Sequence, residues 1–236
     1  MMKRVLISIL LAATVIMVAS AQVERHEIKV GNFTRLSLVS DINVNYRCNA
    51  DSAGLAVMTC SSEVSDKLLF NLTGKGRLTI QASDAIDRTV GLPVITVYSS
   101  SLDEAENGGD STLSISGLPP MKNFKVRLTD NGKVIVRGVR ASNLELQILS
   151  GKGKIIADGS CDDLALRLVG TGEIQADQVD ATTVSCRIIG TGSMGCNVLG
   201  GELKVSGSGT GKVYYKGTPS KVTVRKLGTI KAIPME

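Results

Sequence analysis

The chain has 236 residues, a formal net charge of +5, no tryptophan and only 3% aromatic residues. That length suffices for one sizeable core; the modest charge excess does not specify nucleic acid as a partner, and so few aromatic faces argue against a sugar cleft built on stacking. A single histidine, His26, leaves no Ser-His-Asp, Cys-His or H-E-x-x-H arrangement to assemble, so His26 reads as a solvated residue rather than a general base.

At the start, Lys3 and Arg4 precede an apolar run from Val5 to Ala19 broken only by Ser8 and Thr14. Ala19-Ser20-Ala21 then gives a small-x-small site before Gln22. This is the three-part layout of a secretory signal, short for a membrane span. Residues 1–21 are expected to be removed after Ala21, and loss of Lys3 and Arg4 lowers the formal charge from +5 to +3. The mature chain, residues 22–236, is expected to be exported (periplasmic, on the outer surface or secreted) with no transmembrane segment. No cysteine follows the cut, so no lipid anchor is expected.

From Glu27 onward, alternating β-branched and polar residues predict strands at HEIKV, FTRLSLV, INVNYR, LAVMTC and RLTIQA. Residues Glu63 to Asn71 read as one short helix with Leu68, Leu69 and Leu72 packing inward. Residues 83–93 and the acidic stretch Asp103 to Asp110 read as loops, on either side of VITVYSSSLDE and before LSISG. Cys48 and Cys60 flank a turn-rich segment between two strand-like runs. They are positioned either to close a hairpin with a disulfide or to remain separate thiols. With five cysteines at least one is unpaired; Cys161 falls in a corner.

After Pro119-Pro120 the chain becomes periodic. The segments FKVRLTDNGKVIVRG, LELQILSGKGKIIADG, LALRLVGTGEIQADQ, VSCRIIGTGSMGCNV, LKVSGSGTGKVYYKG and VTVRKLGTIKAIP align on a glycine turn. The turns are Gly151/Gly153, Gly170/Gly172, Gly190/Gly192 and Gly209/Gly211, spaced 19, 20 and 19 residues, with a last partial copy at Gly228. A period in this range marks a solenoid in which each unit buries its apolar side on its neighbours. The prediction is therefore an all-β chain: a parallel β-helix, or β-solenoid, with rungs of about 20 residues and G-x-G turns. It forms one domain, with irregular rungs over 22–123 and regular ones over 124–236. Inward columns read Phe124/Leu144/Leu164/Val184/Leu203/Val222 before the turn and Val134/Ile155/Ile174/Met194/Val213 after it. Cys186 and Cys196 fall on core columns as small apolar residues. Each rung is expected to hold two strands of about six residues, the equivalents stacking at roughly 4.8 Å. A tight reversal that needs positive φ explains the recurring glycines.

Two outward columns bear on chemistry. One reads Arg137, Asp158, Asp177, Asn197 and Lys216; stacking would set Asp158 beside Asp177. That is either a Ca²⁺ or acid-pair site or, with only two carboxylates against calcium's six to eight oxygens, a solvated ladder offset by its basic neighbours. The other reads Arg127, Gln147, Arg167, Arg187, Ser206 and Arg225. A row of guanidinium groups at strand spacing suits repeating anions such as acidic polysaccharide, or it serves only solubility. Beside it Leu149, Val169, Ile189 and Leu227 form an apolar row, to be covered by the N-terminal segment or by another subunit packed side by side. Lys221, Arg225, Lys226, Lys231 and Pro234 decorate the last rung as a cap against open polymerisation.

The G-T-G turns, the opening NFTRLSL with INVNY, and the closing GSGTGKVYYKGTPS resemble the GIN-domain family of exported bacterial proteins, the auto-transporter adhesin heads. The likeness covers nearly all of the mature chain. Asp130-Asn131-Gly132 in place of one G-x-G and the truncated Gly228-Thr229-Ile230 depart from it. The resemblance implies a right-handed β-helix, no recognised catalytic residues and a role in cell adhesion; no cofactor or metal is expected from the residues. The reading that follows is a non-catalytic envelope protein binding an acidic glycan or a cell-surface protein. A polysaccharide-active lyase or hydrolase on the same scaffold is the alternative.

Overall fold

The computed structural model describes residues 23–86 and 91–235; the expected secretory signal lies outside them. No helix among the described residues is long and apolar enough to cross a membrane.

The N-terminal part holds β1 (Glu24–Lys29), β2 (Arg35–Leu38), β3 (Val44–Cys48) and β4 (Leu55–Cys60). Helix α1 (Ser62–Ser65) follows, then β5 (Leu68–Leu72), β6 (Arg77–Ala82) and β7 (Ile95–Ser99). The helix is one turn, not the nine residues expected. Ser61 caps it, accepting from Val64 N–H at 3.4 Å, but a helix this short gains little. The LLFNL run instead lies antiparallel along β6, Leu68 opposite Ala82 and Leu72 opposite Leu78. Only Leu68 is buried, while Leu69 and Leu72 are 49% and 38% exposed. β4 lies antiparallel to both β1 and β7. Both starting edges of the stack are thus covered by reversed strands.

The expected acidic loop is also structured. β8 (Glu104–Asn107) inserts in parallel between β2 and β10 (Met121–Leu128), with Ala105 level with Leu36 and Val126. Its second inward residue is Asn107, fully buried. The Asn107 amide donates to the Ser111 carbonyl at 2.8 Å and accepts from Gly109 N–H at 3.2 Å. A buried side chain so satisfied costs little, yet it hides the period-2 pattern from a reader looking for aliphatics. β9 (Thr112–Ser116) completes this part.

The regular rungs are β11 (Lys133–Ile148), β12 (Lys154–Gly170) and β13 (Glu173–Gly190), then β14 (Ser193–Leu199), β15 (Glu202–Gly209), β16 (Lys212–Thr218), β17 (Lys221–Gly228) and β18 (Lys231–Pro234). All pair in parallel and in the expected register: Leu144 meets Leu164, Val184 and Leu203 on successive strands, and Ile155 meets Ile174, Met194 and Val213. These residues are at most 1% exposed and belong to one core cluster running from Val30 to Ile230. Each buried aliphatic contributes roughly 1.5–3 kcal/mol. The parallel β-solenoid read from the sequence is the fold.

Two details of the walls differ from that reading. β11, β12 and β13 pass through the corner between the two walls as single bent strands, with register shifts near Val136, Ile156 and Ala176. Buried Val139 and Val179 pin the bend from inside. In the last rung, Val222 and Val224 are each 40% exposed, because β17 is paired on its β15 side alone.

The G-x-G turns stack as closely as the strands do. Thr191 N–H donates to the Gly170 carbonyl at 3.1 Å and Ser193 N–H to that of Gly172 at 3.2 Å. Positive φ, expected to explain every turn glycine, accounts for only the first of each pair. Gly151, Gly170, Gly190 and Gly209 have φ of 83°, 117°, 130° and 113°, a region side chains avoid. Gly153, Gly172, Gly192 and Gly211 are not among the positive-φ glycines, and for them that explanation is corrected. They are glycine for want of room. A Cβ on Gly153 would sit 2.5 Å from both the Asp130 carbonyl oxygen and Leu128 Cδ2, and one on Gly172 2.6 Å from the Gly153 oxygen. On Gly192 it would run into the Gly172 oxygen, and on Gly211 into Ile188 Cδ1, with the Gly192 oxygen 3.0 Å away. The first glycine thus turns the chain, and the second lets the next rung and the core close on it.

Gly192→Val is therefore expected to lower stability by about 3 kcal/mol or more in urea denaturation. Gly195, mid-strand and facing outward, would bring a Cβ no nearer than 3.5 Å to the Asp177 side chain, so Gly195→Ala should change stability by less than about 0.5 kcal/mol.

Candidate ligand-binding groove

The register sets Glu106, Arg127, Gln147, Arg167, Arg187, Ser206 and Arg225 side by side on successive strands of one wall. Their environments divide the row. Arg127 donates to Glu104 at 2.8 Å, and Arg77 joins the same carboxylate at 3.0 Å and Glu106 at 3.4 Å. Glu104 is 15% exposed by side chain, so this cluster is internally neutralised. Gln147 is buried and hydrogen-bonded to Glu145. Arg167, Arg187 and Arg225 are exposed, and no carboxylate among the described residues forms an ion pair with them. Of the expected stripe, the C-terminal three guanidinium groups are left available.

Those three edge a groove of about 650 Å³ that crosses β11, β12, β13, β15 and β17. Its floor exists because the neighbouring column, two residues earlier, carries small side chains at Ala165 and Ser185 between Glu145 and Lys204. Lys204 and Lys221 form the opposite rim. Both reach Glu202, at 3.1 and 3.6 Å, and Thr223 donates to it at 3.1 Å. Lys204 and Thr223 hold the half-buried Glu202 carboxyl below the usual carboxylate range, with the Lys221 charge adding to this. Five cations and two carboxylates thus line the groove. Alignment of the repeats locates the arginines but puts Lys221 in the end cap and passes over Lys204, Ala165 and Ser185. The same columnar alignment, moved two residues toward the N-terminus, finds them.

The second expected column does not form an acid pair. Ile156 is level with Gln175, but Asp158 is level with Gln178, so Asp177 is the extra residue of a bulge. Asp158 takes Arg137 at 2.7 Å and the Gly138 N–H at 2.6 Å. Asp177 takes Lys216 at 2.9 Å, and Asn197 turns away to Asp180. Two separately paired carboxylates supply neither calcium's oxygen shell nor a shared proton. No group of three or more candidate metal ligands occurs among the described residues.

The thiols form no pair. All five cysteines are free. The expected hairpin between Cys48 and Cys60 is absent, because β3 pairs with β7 and β9 while β4 pairs with β1 and β7. Cys48 is level with Ser99, and Ala56 with Val97, which sets Cys60 about 20 Å away along the strands. Burial pushes the Cys161 thiol up to about 12, with Asp162 and Asp163 adding to the effect. A hydrogen bond with Cys196, and burial, raise Cys186. Protonated thiols are poor nucleophiles. His26 is half-buried on β1, its Nε2 3.1 Å from the Cys60 carbonyl oxygen. In the apolar row Leu227 is 78% exposed.

Fold and groove together define a parallel β-solenoid that presents a concave, cationic strip on one wall. The chain belongs to the family described as putative auto-transporter adhesin, head GIN domain, which matches residues 32–219. No curated protein matches the chain. Among solved structures, a putative adhesin from Bacteroides fragilis aligns with a TM-score of 0.83 at 20% identity, over 92% of this chain and 98% of that one. A putative lipid binding protein from Parabacteroides distasonis aligns at 0.72 and 20%, over 92% and 98%. A putative adhesin from Parabacteroides merdae aligns at 0.67 and 19%, with the same coverage. At these identities the likeness is one of fold.

The Asp177 pair predicts a pH dependence. Burial raises this carboxyl, but Lys216 and Gln178 outweigh burial and leave it below its ordinary value of 3.8. A depressed carboxylate stabilises the fold above its unfolded pKa, and the contribution is lost as pH falls through the folded one. The Tm penalty of Asp177→Asn should be visible at neutral pH and shrink as the pH is lowered below 3.8.

Proposed function

We propose that the protein is a non-catalytic, exported binding protein of adhesin type, which uses its basic wall to hold an anionic component of a cell surface or matrix. One observation carries this reading: Arg167, Arg187 and Arg225 stack on a rigid parallel sheet with no ion-pair partner among the described residues. Guanidinium groups projecting from neighbouring strands can make paired hydrogen bonds to carboxylate, sulfate or phosphate. The family supports the adhesin reading, and so does the arrangement of Asp158 and Asp177, each paired with its own cation rather than with the other. Export rests on the sequence pattern of residues 1–21, and an acidic glycan is the partner that best matches the wall.

The full mature chain is expected to be retained on immobilised heparin and to elute at clearly lower salt when Arg167→Ala and Arg187→Ala are combined. Both residues are exposed and outside the core, so far-UV circular dichroism should be unchanged. Elution of the double variant at the parent's salt concentration would contradict the assignment, as would depolymerisation of any polysaccharide by the purified protein.

A further inference from the structure

The basic wall is not uniform along its length. Toward the N-terminal end the same two columns carry Glu104, Glu106 and Glu145, and the two cations that stand between them on β10 are already committed: Arg127 to Glu104, and Lys125 to Glu145 at 2.6 Å. Gln147, buried and bonded to Glu145, closes the groove at that end. A long polyanion laid over the whole wall would therefore run onto Glu104 and Glu106, whereas one confined to the groove meets three unpaired guanidinium groups and only Glu145 and Glu202, each shared with a lysine.

Spacing limits the occupant further. Arg167 and Arg187 are on adjacent strands and Arg225 is two strands beyond, with Ser206 between. At about 4.8 Å per strand, three anionic groups are asked for over about 14 Å, at intervals of one step and two. Extended pyranose chains advance by a similar step per sugar. The Ser185, Ser206 and Thr223 hydroxyls can serve sugar hydroxyls, and the small Ala165 lets a ring sit low. The cavity of about 650 Å³ falls in the range of small-molecule sites and is concave where a bilayer surface is flat.

We propose that the groove is an end-closed subsite for a short sulfated or carboxylated oligosaccharide segment, about four sugars long, whose anions are taken by Arg167, Arg187 and Arg225. This rests on the reading of the basic wall as the binding surface and adds a boundary and a ligand class to it.

The test is calorimetric titration of the full mature chain with size-defined heparin di-, tetra- and hexasaccharides, with inorganic sulfate, and with phosphatidylglycerol vesicles. Affinity should rise from di- to tetrasaccharide and gain no more than about twofold at the hexasaccharide. Arg187→Ala should cost about tenfold or more. Lys152→Ala, exposed at a turn outside the groove, should cost nothing. Affinity that keeps climbing with length, together with equal losses from Arg187→Ala and Lys152→Ala, would overturn the closed subsite while leaving a generally basic wall intact. Sulfate binding as tightly as the tetrasaccharide would overturn the oligosaccharide class in favour of a lone-anion site. Binding to vesicles alone would overturn it in favour of lipid. No binding to any probe, with no heparin retention by the parent, would overturn the basic-wall reading as well.

Discussion

Close approach of backbone to backbone at the turns is the constraint on which this structure depends. Every rung must reverse within three residues and still lie one strand spacing from the rung before it. Carbonyl oxygens of one turn therefore occupy the space a Cβ of the next would need, as the Gly170 oxygen does at Gly190 and the Gly172 oxygen at Gly192. Glycine at both positions lets the turn hydrogen bonds form in line with those of the walls. Where the pattern lapses at Asp130-Asn131-Gly132, side chains take over part of the task. Asn131 N–H donates to the Asp110 carboxylate at 3.2 Å, and Asn131 Oδ1 accepts from Lys152 N–H at 3.1 Å.

Locking the turns in step has a chemical consequence. With the register fixed, any side chain repeated at the rung period becomes a column at strand spacing, inward or outward according to parity. Inward columns of leucine, isoleucine and valine make the core. Outward columns make a surface whose charges are held by the sheet rather than by long flexible loops, so less ordering entropy is lost when a ligand binds. The groove arises from the same rule: two small residues in one column beside guanidinium groups in the next leave a trench with a charged bank.

Much of this was legible in the chain because the repeat states its own alignment. Once the G-T-G turns are superposed, Leu144, Leu164 and Val184 fall into register without further assumptions, and so do Arg167 and Arg187. Reading failed where the period changes by one residue or where a polar group faces inward. The bulge at Asp177 shifts one residue between Gln175 and Gln178, which separates two aspartates that a strict column would join. Asn107 occupies a core position through hydrogen bonds no hydropathy pattern records. The second turn glycines, Gly153 to Gly211, were legible as glycines but not in their reason, because crowding by the previous rung leaves no mark in a single copy of the repeat. The LLFNL run was ambiguous because its apolar residues suit either a helix or an edge strand, and the unpaired side of β6 decided the matter. Neutralisation of Arg127 was invisible for a different reason: Glu104 is read as a neighbour only after β8 is recognised as a strand.

The claim most worth measuring is the parallel, in-step stacking of the rungs, since core, turns and groove all follow from it. Interstrand nuclear Overhauser contacts in a uniformly labelled, deuterated sample report it directly. The account predicts contacts linking the backbone amides around Leu146 to those around Leu166, then to those around Cys186 and Val205, all in the pattern of parallel strands. Contacts offset by one residue, or in the antiparallel pattern, would contradict it.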